Sequence, residues 1–313
     1  MMLKKFNRMS LFSNVSRSAK PIIHEWRLAL EVIKRSPLTM TGLIIVVGFI
    51  VLGAIGPYIA PYNPIEIDFS LVALKRLQPP SLQHPFGTDE YGRDLFSRVL
   101  AGARVSLIVS LAVMSIAIPV GLVLGLIAGY YGGIIDEVIM RITDVFLSFP
   151  GLVLAIAFSA TLGAGLFSAM LALSIVWWPS YVRVVRAQVL VVREQLFIEA
   201  AKAMGVSTRR ILFKHILPNS VTPLLVLVTL DFGSVILASS ALSFIGLGAQ
   251  PPTPEWGRLV ADGRKWFPDK WWYSFFPGLA ILITVLGFNI LGDGLRDILD
   301  PRFRRRLEFK EVK

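Results

Sequence analysis

Five stretches of the chain, residues 36–65, 105–135, 145–182, 232–254 and 271–292, contain no Asp, Glu, Lys or Arg. In lipid every backbone polar group must be satisfied within the protein, so apolar runs of this length are built as helices. A spanning helix needs about 20 such residues. The stretch 145–182 is too long for one span. It fits two helices joined by a tight turn at 161–165, the first starting near Val138. Six transmembrane helices are therefore expected, at about 38–59, 105–130, 137–159, 165–182, 219–247 and 272–295. With 54% hydrophobic residues and a mean hydropathy of +0.65 over 313 residues, the chain reads as an all-α membrane protein.

Lys and Arg set the orientation. With the N-terminus inside, the inner segments 1–37, 131–136, 183–218 and 296–313 carry 22 Lys and Arg, and the outer segments 60–103 and 248–271 carry 8. This bias predicts N-in and C-in. The first apolar run is too long for the core of a cleavable signal and reads as a retained anchor. Before it, Ile22, Ile23, Trp26, Leu30 and Ile33 share one helical face. They fit an interfacial helix on the inner leaflet, or a soluble amphipathic helix packed on neighbouring loops.

Composition removes several function classes. There is no Cys, and the three His are far apart in sequence, so no metal site is expected. The net charge of +11 comes with no nucleic-acid motif and reads as basic inner segments beside anionic lipid. A membrane-embedded enzyme would need a nucleophile or metal cluster. The chain contains no G-x-x-x-x-G-K-[ST] phosphate loop, so ATP, if used, is handled by another chain.

The longest inner loop is the most informative segment. Residues 199–218 read Glu-Ala-Ala-Lys-Ala-Met-Gly-Val-Ser-Thr-Arg-Arg-Ile-Leu-Phe-Lys-His-Ile-Leu-Pro. Glu199, Ala200, Ala201 and Ala203 suit a helix. Gly205 is placed to end it with positive φ. Ser207 or Thr208 can cap a second helix, and Pro218 marks the entry to the fifth span. Such a helix–turn–helix suits insertion into a partner's groove. An ordinary basic inner loop remains the alternative.

The spacing of Glu199, Ala200, Ala201, Gly205 and Leu217-Pro218 resembles the coupling loop of permease subunits of ABC importers. His215, where those loops carry an aliphatic residue, is similar to the peptide-importer branch. His84-Pro-Phe-Gly-Thr-Asp-Glu-Tyr-Gly-Arg-Asp-Leu-Phe-Ser-Arg98, Gly102-Ala-Arg-Val-Ser-Leu107, Phe149-Pro150, Ala241-Leu-Ser-Phe-Ile-Gly-Leu-Gly248, Pro254-Glu-Trp-Gly257, Asn289-Ile-Leu-Gly-Asp-Gly-Leu-Arg-Asp297 and Leu299-Asp-Pro-Arg302 extend the likeness over roughly residues 37–303. The chain resembles the second permease subunit of dipeptide, oligopeptide and nickel ABC importers.

That resemblance implies a type I ABC importer permease (MetI-like) fold. It implies a non-catalytic, multi-pass subunit in the plasma membrane of a prokaryote, paired as a heterodimer with a companion permease. Further implied partners are one or two cytosolic ABC ATPases, an extracellular or periplasmic solute-binding protein and membrane lipid, with no nucleic acid. No cofactor is expected on this chain; ATP and Mg are used by the partner ATPases. Di- or oligopeptides are the expected solutes, with nickel or oligosaccharide as alternatives. A secondary transporter, the alternative from another class, would want internal repeats and several intramembrane ionisable groups.

Candidate sites follow. Coupling to the ATPase falls to Glu199, Ala200, Ala201, Gly205, Arg209, His215 and Pro218, although Glu199 can instead pair locally with Arg193 or Lys202. Arg209, Arg210 and Lys214 suit lipid head groups as well as an ATPase. Asp231 in the fifth helix, with Ser239 and Ser240, is expected along the translocation pathway, or Asp231 bonds between helices. Arg141 and Asp144, at i and i+3, read as a structural pair or a gate. Gly121, Gly125 and Gly129 allow close helix contact, within the subunit or against the companion. Trp177, Trp178, Trp266, Trp271 and Trp272 suit an aromatic belt. Phe86, Tyr91, Leu95 and Phe96 argue that the outer segment packs as a ledge rather than a linker. The expected division is 1–37 (inner tail with the interfacial helix), 38–103 (first helix and outer segment), 104–295 (permease core with the coupling loop 183–218) and 296–313 (basic tail).

Overall fold

A computed structural model describes residues 36–70 and 72–299. The expectations for the interfacial helix and for the C-terminal tail beyond 299 lie outside the described residues. Among those residues, all extended regular structure is helical, apart from one isolated bridge between Thr88 and Asp94.

The long helices are α1 (Pro37–Ile59), α2 (Leu95–Tyr131), α3 (Gly133–Leu147), α4 (Gly151–Leu162), α5 (Leu166–Arg193), α6 (Leu196–Ala203), α7 (Thr222–Phe244), α8 (Trp256–Arg264) and α9 (Trp272–Leu299). Five of them are long and apolar enough to cross a membrane. The sixth span exists only if α3 and α4, bent by 88° at their junction, are one broken crossing.

The expected third span, one helix at about 137–159, is therefore corrected. Pro150 has no amide hydrogen and disfavours helical geometry at Phe149, so the chain breaks at Ser148–Pro150. The start expected at 105 is also corrected. α2 begins ten residues earlier, and the cut expected between 103 and 104 falls inside it. Asp94 caps it, accepting from Ser97 N at 2.7 Å. At about 1.5 Å per residue α2 is about 55 Å long, far beyond a hydrocarbon layer of about 30 Å. The fourth span continues past 182 to Arg193 because Arg183 and Arg186 find carboxylates on α3. The charge-free stretches mark what lies in lipid; they do not mark where helices end. The tight turn expected at 161–165 falls at 163–165, between Leu162 and Leu166.

α2 and α5 form the centre. Gly121, Gly125 and Gly129 of α2 face Tyr181, Val185 and Val189 of α5. A Cβ at the three glycines would lie 2.3, 2.7 and 2.7 Å from the Cβ atoms opposite. Both rows step by four residues, so the ridges mesh and the backbones approach. The stripe thus packs within the subunit. α1 lies beside α9 and α2, with Gly42 against the Leu291 backbone and Gly56 against the Leu100 carbonyl. Val109, Val113, Leu173, Tyr181, Val185 and Val235 belong to one core, and Phe49, Trp256, Leu259 and Phe288 to a second.

These contacts define two faces. One carries the ends of α2, α5 and α6 and the start of α7; it is the loop face. The other carries residues 60–70 and 72–94, the first turn of α2, α8 and the start of α9; it is the cap face. The cap is folded. Phe86 stacks on Phe276 with centroids 4.0 Å apart and meets Phe96 edge-on, and Leu95 is fully buried. Trp272 is buried with Leu77, Leu95 and Tyr273, so it does not stand in an aromatic belt; Trp271 is exposed.

Candidate functional site

On the loop face the chain folds as a helix, a turn and a second, irregular helix. α6 ends at Met204. Gly205 takes φ +74°, the left-handed conformation that glycine adopts without strain. Its N–H bonds to Lys202 O at 2.9 Å, and Val206 N–H bonds to Ala201 O at 3.1 Å. This pair of bonds is the Schellman closure, which satisfies the last carbonyls of α6. Ser207 stands at the next N-cap position, but its hydroxyl makes no capping bond. Thr208–Arg210 leads into a π-helical turn, Ile211–Ile216, and then Leu217–Ser220. Pro218 sits in that last short turn, and α7 begins only after a break at Val221.

The loop has a rooted side and an open side. Ile198, Ala201, Ile211 and Ile216 are buried in the α2–α5–α7 core. Outward, Leu196 is 81% exposed, Met204 75% and Phe213 58%. Glu199, Ala200, Arg209 and Arg210 are exposed around them, and His215 is half-buried. Ser207, Arg209, Arg210 and Phe213 line a shallow groove. The local partners proposed for Glu199 are engaged elsewhere. Arg193 donates to the carbonyls of Gly129 and Tyr130 at 2.9 and 3.4 Å, and Lys202 sits over the Tyr130 ring.

Within the helices, Asp231 stands on α7 with its carboxylate beside Tyr181 and Trp177 of α5. Its Oδ2 is buried without a hydrogen-bond partner, and the Tyr181 hydroxyl bonds to Met114 Sδ at 3.1 Å. Ser239 and Ser240 are buried. Ser240 Oγ donates to Glu255 Oε1 at 3.2 Å, which ties α7 to the cap.

Arg141 and Asp144 do not pair. Arg141 lies 3.8 Å from Glu137, one turn back along α3, while Asp144 takes Arg183 of α5 at 2.7 Å. The i, i+3 spacing on one helix loses to a guanidinium arriving from a neighbour.

Three features were not singled out from the sequence. Asp136 of α3 receives Nε and Nη2 of Arg186 of α5 in a bidentate pair. Fifty residues separate them, and nothing local signals the contact. Asp89 is completely buried; it accepts from the N–H groups of Tyr91 and Arg93 and from Arg93 Nε at 2.7 Å, with Arg98 Nε 3.5 Å away. Glu255 is 1% exposed and caps α8, accepting from Arg258 N at 2.9 Å. Burial pushes its carboxyl above the usual range. Hydrogen bonds from Arg258 N–H, Ser243, Gly257 N–H and Ser240 pull it back. A Glu just before Trp-Gly was the only available signal for that cap.

Apolar helices long enough to cross a membrane, a compact cap and a rooted loop with exposed apolar tips define a multi-pass membrane protein. The family model of the binding-protein-dependent transport system inner membrane component matches residues 121–305. That of the N-terminal transmembrane domain of oligopeptide transport permease C matches residues 25–80. The dipeptide transport system permease protein DppC of Alkalihalophilus pseudofirmus is 47% identical over 282 residues, 90% of this chain and 91% of that one. The "Probable D,D-dipeptide transport system permease protein DdpC" of Escherichia coli is 50% identical, covering 86% and 89%. The glutathione transport system permease protein GsiD of Escherichia coli is 45% identical, covering 87% and 88%. Among solved structures, the inward-facing MetNI methionine ABC transporter is similar at 22% identity and a TM-score of 0.47, over 65% of this chain and 94% of that one. The chain belongs to the family of binding-protein-dependent transport system inner membrane components, as a permease subunit without catalytic activity of its own.

Proposed function

We propose that this chain forms half of the translocation pathway of an ATP-driven importer of di- or oligopeptides and transmits ATPase motion through the coupling loop 183–218. The loop geometry carries the reading. Leu196, Met204 and Phe213 are exposed on a segment whose other side is anchored by Ile198, Ala201, Ile211 and Ile216. Exposed apolar tips rimmed by Glu199, Arg209 and Arg210 suit a groove on a partner. A rooted base lets force applied there reach α2, α5 and α7. The peptide assignment rests on relatives whose names specify dipeptide, D,D-dipeptide and glutathione transport.

The implied assembly pairs this chain with a companion permease in the plasma membrane of a prokaryote, the loop face toward the cytosol. One or two ABC ATPases bind ATP and Mg and grip the loops, and a solute-binding protein delivers peptide at the cap face. Nucleotide biases two arrangements of the helices through its differential contacts with them. In this reading Asp231, beside Tyr181 and Trp177, lines the pathway or bonds between α5 and α7.

Glu199→Arg and Gly205→Pro test the loop. Uptake of dialanine into proteoliposomes holding the full complex is expected to vanish, with expression and membrane insertion intact. Normal uptake in either variant refutes the coupling role. Identifying the ligands retained by the cognate binding protein tests the solute.

A further inference from the structure

Where α2 ends, three elements meet at one turn. The chain reverses from α2 into α3 through Gly132 and Gly133, with φ +67° and +56°. Two arginines of α5 hold this turn. Arg186 makes its bidentate pair with Asp136 in the first turn of α3, and both side chains are largely shielded. Arg193 donates to the Gly129 and Tyr130 carbonyls, which have no partner further along α2. From the loop, Lys202 of α6 places Nζ 5.7 Å from the centre of the Tyr130 ring. Beyond the turn α3 is open, with only Thr143 buried among its residues. Its remaining ion pair with α5, Asp144–Arg183, is solvent-exposed and contributes little.

We propose that Asp136, Arg186 and Arg193 clamp the Gly132–Gly133 turn and carry displacement of the loop into the broken span α3–α4. The proposal rests on the reading that an ATPase drives the loop. Two parallel N–H···O bonds fix the orientation of Asp136 as well as its distance, so α3 follows rotation of α5, and not translation alone. Arg193 fixes the end of α2 to the same helix. Lys202 sets the loop against that end. The three are positioning residues; they move with α5 as one body and touch no solute.

The test uses the complete complex, with companion permease, ATPases and binding protein, in liposomes supplied with dialanine and ATP. Asp136→Arg is expected to retain the ATPases and to hydrolyse ATP within about twofold of the parent, while uptake falls about tenfold. Asp136→Arg with Arg186→Asp restores uptake to within about threefold. Arg193→Gln lowers the peptide moved per ATP by about threefold. Uptake at the parental level in Asp136→Arg, or no recovery in the double variant, overturns the clamp. If Asp136→Arg does not assemble, Asp136→Asn decides: uptake lost with hydrolysis kept supports the clamp, and any other outcome rejects it. A merely structural defect would lower hydrolysis and uptake in proportion. Full uptake by Glu199→Arg in the same vesicles would sink the loop reading instead, whatever the clamp variants do.

Discussion

The cap face and the loop face are both rich in charge, and they use it in opposite ways. In the cap, Asp89, Arg93, Arg98, Asp94 and Glu255 are all buried and face one another or backbone groups. His84 Nδ1 lies 2.9 Å from Asp94, and Arg98 Nη1 donates to the Pro64 carbonyl at 2.7 Å. On the loop, Glu199, Arg209 and Arg210 are exposed beside exposed Leu196, Met204 and Phe213. Charges satisfied inside the chain hold a shape. Charges and apolar tips left outside it are available to another chain. The first region holds its shape by internal pairing, and the second leaves a surface that, in the proposed reading, an ATPase grips.

That contrast can be broken from the cap side with the largest effect. Arg98→Ala leaves Asp89 without one guanidinium and opens a cavity. It should destabilise the protein by about 3–5 kcal/mol, read as loss of folded, monodisperse protein in detergent. An unchanged melting temperature would mean that the cap network is not structural. Gly205→Pro should show the reverse pattern, with full expression and no transport. Glu255 comes next. Glu255→Ala should cost about 1–3 kcal/mol by orphaning the α8 N-terminus and Ser240, and Glu255→Gln distinctly less.

Glu255 also sets a pH dependence. Burial raises its pKa, so the folded state holds a proton that the unfolded chain has already released. Its effect on stability is absent below the ordinary carboxylate range and grows more unfavourable as pH rises through and above it. The slope of stability against pH in that window should flatten in Glu255→Gln; an identical slope would show that Glu255 does not titrate there. The smallest effect belongs to the loop face. Arg183→Ala removes an exposed pair and should change stability by less than about 1 kcal/mol. A larger loss would show that α3 is held by that pair and not by the turn.

Much of this was legible in the residues. The charge-free stretches located five spans and the 163–165 turn because lipid accepts only backbone that is satisfied internally. Gly205 was legible because positive φ is a local demand that glycine meets. The Gly121, Gly125 and Gly129 stripe announced a close helix contact, but its partner on α5 did not follow from spacing. The Ser148–Pro150 break was missed because hydropathy runs through it unchanged. The pairing of Arg141 with Asp144 was expected from local spacing and lost to contacts between helices.

That the chain crosses a membrane as helices, where the apolar layer falls along it, and that a Gly-punctuated basic loop interrupts those helices can all be read from the residues alone. Each follows from properties of a few neighbouring residues. Which charges are spent inside the protein and which are presented outside emerges from helix packing. Asp136 with Arg186, Asp89 with Arg98, and Ser240 with Glu255 all depend on how helices cross. A partner from a neighbouring helix leaves no mark on the local pattern of the chain.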